Sequence, residues 1–149
     1  MASENDLLNQ PSHPSVVLND RVELYDTDAS GLIFYGAATR WATAAQFRLF
    51  QSLGHKVDFA AGTTTPVRAA AFEYLGPLHL GDEISLTAWI DEVGRTSLTV
   101  VIEVRTAGDG VLRVRAKLSH VHVRLADMAP IAVPAHLAGA ARTRRQPGP

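Results

Sequence analysis

Two aspartates stand two positions apart in the segment Asp26-Thr-Asp28-Ala-Ser-Gly31. This segment follows a partly alternating stretch and precedes a run of apolar and small residues. Carboxylates at this spacing suit three kinds of site: a turn or helix cap, a magnesium centre, or a catalytic site in which one carboxylate is a base or nucleophile. The chemistry that is available depends on the elements on either side.

The first interpretation is purely structural. Aspartate side chains accept hydrogen bonds from backbone N–H groups in turns and at the start of helices. Asp26 and Asp28 would then only shape the turn. The two residues by themselves leave this interpretation open.

The second interpretation is a magnesium-dependent phosphatase. A hydrophobic strand followed by D-x-D-x-S resembles the first motif of haloacid dehalogenase-like phosphatases, where paired carboxylates hold the metal and attack phosphate. That chemistry uses a parallel sheet, whose neighbouring strands need crossovers of a dozen residues or more. The strands after Gly76 have only hairpin-length connections, which disfavours this interpretation.

The third interpretation uses the helix that follows. Gly31 permits a backbone path closed to other residues, and the chain is predicted to enter a helix near Tyr35 and Gly36. The free N–H groups of a first helical turn form a partial positive pole that binds an anion or a developing oxyanion. A carboxylate beside that pole can attack a thioester carbonyl or activate water to do so. Asp28 is nearer to the glycine and better placed for this than Asp26.

The helix itself is predicted from apolar residues at helical spacing after Gly36. Gly54 follows the last of them and fits a C-terminal cap. The many alanines allow a sheet to approach this helix closely. The predicted apolar stripe consists of Ala38, Trp41 or Ala42, Ala45, Leu49 and Leu53.

Most of the chain after Gly54 alternates between apolar and polar residues, which is typical of strands. One long helix followed by antiparallel strands predicts an α+β fold. The alternation changes phase near Ser119 and His120, which predicts a bulge or a change of buried face. Strands are predicted at 16–24, 67–74, 83–93, 98–107 and 111–125.

The composition is that of one ordinary globular domain: 149 residues, 46% hydrophobic, 19% charged, with a formal net charge of −1. No global charge favours nucleic acid or an anionic membrane. The absence of cysteine excludes disulfides, thiolate metal sites and cysteine nucleophiles. Neither a signal peptide nor an apolar stretch long enough to span a bilayer is found, so a cytoplasmic location is predicted.

These motifs resemble the hot-dog-fold acyl-CoA thioesterases of the 4-hydroxybenzoyl-CoA thioesterase family. That family has a D-x-D-x-x-G turn, two apolar residues, an aromatic residue, then Tyr or His; this chain has Asp26 to Tyr35 in that order. A second similar segment runs from Tyr74 to Ile84, and a third, weaker one ends at Leu137. The resemblance covers roughly residues 20 to 137 and implies a long central helix wrapped by a curved antiparallel sheet.

The resemblance also implies roles for individual residues. Asp28 falls on the catalytic carboxylate, as nucleophile or general base, and Tyr35 on the helix start whose backbone N–H polarises the thioester carbonyl. Asp26 is expected to brace the turn. Arg95 is a candidate phosphate partner because of its guanidinium geometry, with a solvated turn arginine as the alternative. The implied substrate-binding residues are Gly36, Trp41, Thr43, Arg95, Thr96 and Ser97, although Trp41 also suits the core.

Two departures from the family pattern bear on specificity. Ala37 and Ala38 replace the usual Asn and aromatic pair, and Thr43 stands where the hydroxybenzoyl enzyme has a carboxylate that recognises the ring hydroxyl. The second departure argues against 4-hydroxybenzoyl-CoA itself. A pocket lined by alanines suits a bulkier acyl group, such as a fused aromatic ring or a polyketide chain.

The prediction is an acyl-CoA thioesterase that hydrolyses an aromatic or bulky acyl-CoA, with no metal or cofactor. Two alternatives stay open: acyl groups presented by an acyl carrier protein, and acyl binding without hydrolysis. A homodimer or homotetramer is expected, because the family is thought to place its sites across subunit interfaces. The predicted organisation is a flexible arm at 1–15, the hot-dog domain at 16–137 and a disordered basic tail at 138–149.

Three further residues carry chemistry that this prediction does not use. His120 and His122 share one face of a strand at a spacing that suits zinc, but no third ligand is evident, which favours polar residues of the sheet face. Glu73 is kept as an alternative catalytic carboxylate on another element.

Overall fold

The computed structural model describes residues 13–56 and 59–146. Its main elements are one long helix and a six-stranded sheet. Within this part of the chain, no helix is long and apolar enough to cross a membrane. The strands are β1 (Ser15–Arg21), β2 (Thr63–Thr64), β3 (Val67–Tyr74), β4 (Glu83–Val93), β5 (Ser97–Thr106), β6 (Leu112–Val121), β7 (Val123–Arg124) and β8 (Thr143–Arg144); the helices are α1 (Ala37–Ser52) and α2 (Ala135–Ala138), with 3-10 turns at Leu24–Asp26 and Phe59–Ala61.

The large sheet has the strand order β1-β4-β5-β6-β3, and all neighbours in this order are antiparallel. The helix α1 packs against β1, β4, β5 and β6. The two short strands β2 and β7 form a separate pair. The predicted α+β architecture, a sheet around a long helix, is therefore confirmed. The magnesium-phosphatase interpretation is wrong, because it requires a parallel sheet.

The sequence of α1 explains how closely the sheet approaches it. Four alanines on its buried side have almost no exposed surface, and Trp41 and Leu49 fill the space between helix and sheet. The helix ends where predicted, because Gly54 takes a φ of +76° and its N–H donates to the carbonyl of Gln51 at 3.1 Å. The four alanines are Ala37, Ala38, Ala42 and Ala45.

Alternate residues of the central strands face α1 and form the core. Burying each large aliphatic side chain stabilises the fold by about 1.5–3 kcal/mol relative to leaving it in water. The residues are Ile84, Leu86, Ala88 and Ile90 of β4, Leu98, Val100, Ile102 and Val104 of β5, and Val114, Ala116 and Leu118 of β6.

The end of β6 differs from the sequence prediction. The buried series continues in phase through His120 and His122, so the predicted change of buried face is wrong. The irregularity lies in the neighbouring strand instead, between Val67 and Ala69, which pair with His120 and Ser119. The two histidines face inward because the strand keeps its period of two.

The C-terminal segment corrects a second prediction. Residues 138–149 were expected to be a disordered tail, but Thr143–Arg144 pairs in parallel with Glu92 and Val93 of β4. Arg145 adds an ion pair with Glu92, with 2.6 Å between Nη2 and Oε2. Residues 147–149, like most of the predicted arm at 1–15, lie outside the described residues.

Candidate active site

The Asp26–Gly31 segment forms a tight loop that folds back beside the residues leading into α1. The N–H of Asp28 donates to the carbonyl of Leu32 at 3.0 Å, and Thr27 pairs with Ile33. Gly31 has a φ of +78°, a conformation that favours glycine, and its N–H donates to the carbonyl of Asp28 at 3.0 Å. This backbone fixes the position of Asp28 relative to the helix entry.

The carboxylate of Asp28 is exposed and hydrogen-bonded within its own loop. Its Oδ1 accepts the hydroxyl of Ser30 and also the backbone N–H of Ser30, the latter at 2.8 Å. The hydroxyl of Ser30, and then its N–H, lower the pKa of Asp28 below its ordinary value. Asp28 is therefore ionised at neutral pH, which is the form that can attack a carbonyl or accept a proton.

Asp26 has a different environment. It is 2% exposed, and it forms a two-point ion pair with Arg40, Nε to Oδ1 at 2.9 Å and Nη2 to Oδ2 at 2.6 Å. Its Oδ2 also accepts the N–H of Glu23 at 2.9 Å, and its carbonyl accepts the N–H of Phe34 at 3.1 Å. Asp26 thus connects both ends of the loop to the first turn of α1, and its carboxylate is not available for catalysis.

The helix entry presents unpaired backbone donors. Ala37 donates to the carbonyl of Phe34 at 3.0 Å and Thr39 to that of Gly36 at 3.1 Å. Within the described chain, the N–H groups of Tyr35, Gly36 and Ala38 have no such acceptor. These free donors lie at the positive end of the helix dipole, which is the arrangement that stabilises an oxyanion.

Gly36 lies against a side chain at this entry, and its φ is an ordinary −78°. A Cβ at this position would lie 2.4 Å from Cε2 of the Phe34 ring. The ring passes directly over the glycine, so any larger residue has to displace it.

An apolar cavity of about 440 Å³ borders the helix entry. Tyr74 closes one side of it and donates its hydroxyl to the carbonyl of Tyr35, whose own side chain is 84% exposed. Partial burial raises the pKa of Tyr74, so this hydroxyl stays protonated and acts as a donor. Leu32, whose carbonyl accepts the N–H of Asp28, lines the same cavity. Other lining residues are Ile33, Leu75, Pro77 and Leu78.

Two predicted substrate contacts on α1 lie away from this cavity. Trp41 is fully buried in the core, with the guanidinium carbon of Arg40 5.7 Å from its ring centroid. Thr43 is exposed and donates its hydroxyl to the carbonyl of Thr39 at 2.8 Å. A role for either residue in substrate binding stays a prediction.

The turn that contains Arg95, Thr96 and Ser97 follows the far end of β4. The eleven residues of β4 extend over roughly 35 Å, so one chain does not bring this turn to Asp28. The carbonyl of Thr96 accepts the N–H of His122 at 2.8 Å, and the carbonyl of Arg95 accepts that of Val133 at 2.9 Å. Contacts from this turn to substrate stay a prediction.

Sequence reasoning gave no role to Arg40 or Tyr74. Tyr74 entered the sequence analysis only as the first residue of a family-like segment. Their partners, Asp26 and the carbonyl of Tyr35, lie 14 and 39 positions away in the chain, beyond any local pattern. Glu73, the alternative carboxylate, is exposed on β3 and stands opposite Arg115 of β6 in the strand register.

A scan against protein-family models identifies residues 30–113 as a thioesterase superfamily domain. The match covers more than half of the chain, and the chain belongs to this superfamily. The predicted family resemblance is confirmed at this level, and the class of enzyme is a thioester hydrolase. No curated protein sequence matches the chain.

Solved structures similar to this one show the hot-dog fold. A 1,4-dihydroxy-2-naphthoyl-CoA thioesterase from Synechocystis has a TM-score of 0.77 and 20% identity over 85% of this chain and 95% of that one. A gentisyl-coenzyme A thioesterase has a TM-score of 0.72 and 21% identity over 81% of this chain and 98% of that one. A putative oleoyl thioesterase from Lactobacillus plantarum has a TM-score of 0.81 and 13% identity over 92% of this chain, which spans only 55% of that longer one. The predicted hot-dog fold is confirmed.

Proposed function

We propose that this thioesterase hydrolyses acyl-CoA with an aromatic or otherwise bulky acyl group, and that Asp28 is its catalytic carboxylate. One observation carries the proposal. The ionised carboxylate of Asp28 stands on a loop that leads directly into a helix start with free N–H groups, and the same loop borders an apolar cavity. A nucleophile or base, an oxyanion site and a space for the acyl group therefore occur together.

Two routes to hydrolysis use this arrangement. In both, the thioester oxygen accepts hydrogen bonds from the N–H groups at Tyr35 and Gly36 as it gains negative charge. Asp28 can attack the carbonyl carbon, which expels the thiolate of CoA and leaves a mixed anhydride that water then hydrolyses. Alternatively, Asp28 takes a proton from water while the water oxygen attacks, and the thiolate leaves with that proton. Either route needs Asp28 ionised.

The preference for a bulky acyl group is supported by the cavity. Its volume of about 440 Å³ and its leucine, isoleucine, proline and tyrosine lining suit a ring system. Two structures with the same fold bear the names of 1,4-dihydroxy-2-naphthoyl-CoA and gentisyl-CoA thioesterases, and both of these acyl groups are aromatic. These names support an aromatic substrate for this chain.

A dimer would complete the site. β3 is an edge strand of the sheet, and almost all of its residues are exposed. If two copies pair antiparallel through β3, Tyr74 of one copy lies near Val67 of the other. The carbonyl of Pro66, next to Val67, accepts the N–H of Val121, and the carbonyl of Thr96 accepts the N–H of His122. The turn at 95–97 is thereby connected to the Val67 end of β3. In such a dimer this turn would approach the partner's helix entry. This is how Arg95, Thr96 and Ser97 can contact the CoA part of a substrate bound at Asp28.

A homodimer or homotetramer, a cytoplasmic location and the absence of a cofactor remain predictions from the sequence. Within the described residues, no group of three or more His, Asp or Glu side chains can hold a metal ion. The proposed chemistry uses only Asp28, backbone donors and water.

The test is free-thiol release from a panel of aromatic and aliphatic acyl-CoAs, with each substrate also offered on an acyl carrier protein. We expect the aromatic and other bulky acyl-CoAs to be turned over with the highest kcat/KM, and Asp28→Ala to abolish turnover. Hydrolysis of only the carrier-protein substrates would show that CoA is the wrong carrier. Binding of acyl-CoA without thiol release from any substrate would show an acyl-binding protein instead of an enzyme.

A further inference from the structure

A second cleft lies at the opposite end of α1 from Asp28, and the proposed hydrolysis does not use it. Its volume is about 400 Å³. The 16 residues of α1 separate it from the helix entry by about 24 Å within one chain. We call it the histidine cleft, and define it by His55 and Lys56 after α1, Thr63–Thr65 at β2, His122 after β6, and His136 on α2.

The imidazoles of this cleft form a series of hydrogen-bonded contacts. Nε2 of His136 lies 3.0 Å from Nδ1 of His55, whose Nε2 lies 3.3 Å from the hydroxyl of Thr65. The same hydroxyl lies 2.9 Å from Nδ1 of His122. One proton per contact satisfies the whole series when the imidazoles are neutral. The ring nitrogens are paired in sequence and do not converge on one point, which argues against a metal centre.

The charges around the cleft favour an anion. Its described lining contains three histidines, a lysine and three threonine hydroxyls, with no Asp or Glu among them. His120 lies behind the series, with Nδ1 2.9 Å from the carbonyl of Thr65 and Nε2 without a partner among the described residues. Protonated imidazoles here would repel one another without a counter-charge. Burial first, and neighbouring histidines second, lower the pKa of His55 and His122.

The contact between His55 and His136 explains why protonation of these rings favours the binding of an anion. When both rings are protonated, two N–H groups face each other across 3.0 Å, and neither has an acceptor. An oxyanion between the rings would accept from both and would replace their direct contact. Lys56 and the hydroxyls of Thr63–Thr65 are positioned in the same cleft as further donors.

We propose that the histidine cleft binds a phosphate-type oxyanion, with uptake of protons by both rings of the His55–His136 pair. Binding requires no covalent step, and it does not depend on Asp28 or on thioester hydrolysis. The oxyanion can be free phosphate, or it can be the phosphomonoester of a nucleotide.

The test is calorimetric titration of the purified full chain with sulfate, which remains a dianion throughout the range used. We expect saturable binding at about pH 6 and binding that is weaker by about tenfold or more at about pH 8, because the proposed binding takes up protons. The C2–H resonances of His55 and His136 should move with sulfate at the lower pH. Absence of saturable binding, or equal binding at both pH values, overturns the proposal.

Substitution of the two paired histidines tests whether sulfate binds in the histidine cleft. His55→Gln and His136→Gln should each weaken sulfate binding at about pH 6 by tenfold or more, because each removes one of the paired imidazoles. The matched control is His79→Gln, an exposed histidine in the turn before β4. Unchanged sulfate binding in both cleft variants contradicts the assignment. Competition then identifies the source: adenosine 3′,5′-bisphosphate displaces sulfate better than inorganic phosphate does if the site takes a nucleotide, and no better if it takes the free ion.

Discussion

Arg40 and Asp26 form a two-point ion pair that connects the first turn of α1 to the loop before it, with 2.9 Å between Nε and Oδ1 and 2.6 Å between Nη2 and Oδ2. Asp26 is buried, whereas 36% of the Arg40 side chain is exposed. The same carboxylate accepts the N–H of Glu23. The pair therefore fixes the loop that carries Asp28, although neither partner is placed to react with substrate.

Arg40→Met should destabilise the protein by about 2–4 kcal/mol, because it leaves the buried Asp26 carboxylate without its cation. We expect kcat to fall as well, since the Asp28 loop loses its attachment to the helix. Arg48→Met is the control, because Arg48 is exposed on the same helix and forms no ion pair within the described residues; its effect should stay within about 0.5 kcal/mol. Chemical denaturation measures both variants, and equal midpoints for them would contradict this account of the pair.

Ser30→Ala should move the acid limb of the kcat/KM profile to higher pH. Asp28 must be ionised to act, so activity is present above its pKa and is lost as the pH falls through it. The Ser30 hydroxyl lowers the pKa of Asp28, so its removal returns that pKa toward the ordinary value. Ser52→Ala, which removes a hydroxyl bonded to Leu49 at the other end of α1, should leave the profile unchanged. If the acid limb lies at the same pH in Ser30→Ala and in wild type, Asp28 is not the group whose ionisation that limb reports.

Gly36→Ala should lower kcat about ten- to a hundredfold, because the new Cβ meets the Phe34 ring at 2.4 Å and displaces that ring at the helix entry. Adding Phe34→Ala removes the clash, so the double variant should regain part of that loss. Gly108→Ala is the matched control, since nothing lies within 4 Å of a Cβ built there. A Gly36→Ala protein with full activity would show that this entry geometry is unimportant for catalysis.

Mixing two impaired variants tests whether the site spans two subunits. Asp28→Ala and Arg95→Ala should each be impaired, since each removes one half of every site in a homodimer. Hybrid dimers carry one intact site, so re-association of an equal mixture should restore about a quarter of wild-type activity. No recovery, under conditions where hybrids are demonstrated by mass spectrometry, would place Arg95 outside the site of Asp28.

The sequence was sufficient to predict the features that depend on residues close together in the chain. The helical spacing of alanines and leucines, together with Gly54, predicted α1 almost to the residue, and the alternation of β4, β5 and β6 predicted the antiparallel sheet. The sequence also distinguished the two aspartates by position, because Asp28 is nearer to Gly31. In the structure Asp26 is buried against Arg40 and Asp28 is exposed, while the catalytic role of Asp28 stays a prediction.

The sequence was insufficient where partners are distant. The partner of Asp26 is an arginine 14 positions later, and the histidine cleft gathers residues from four segments between 55 and 136. The prediction of a disordered tail at the end of the chain was wrong for a different reason. Its run of arginines is typical of a solvated tail, yet Arg145 pairs with Glu92 while Thr143–Arg144 adds a strand to β4.

The central claim is that the carboxylate of Asp28 carries out or activates the attack on the thioester. The direct measurement is kcat for thiol release by Asp28→Asn, compared with Asp109→Asn. Asp109 is an exposed turn aspartate that, like Asp28, accepts a backbone N–H from two residues later, at 3.0 Å. We expect Asp28→Asn to lose about 10²–10⁴-fold in kcat while Asp109→Asn keeps wild-type activity. Equal kcat values for the two variants would contradict the account.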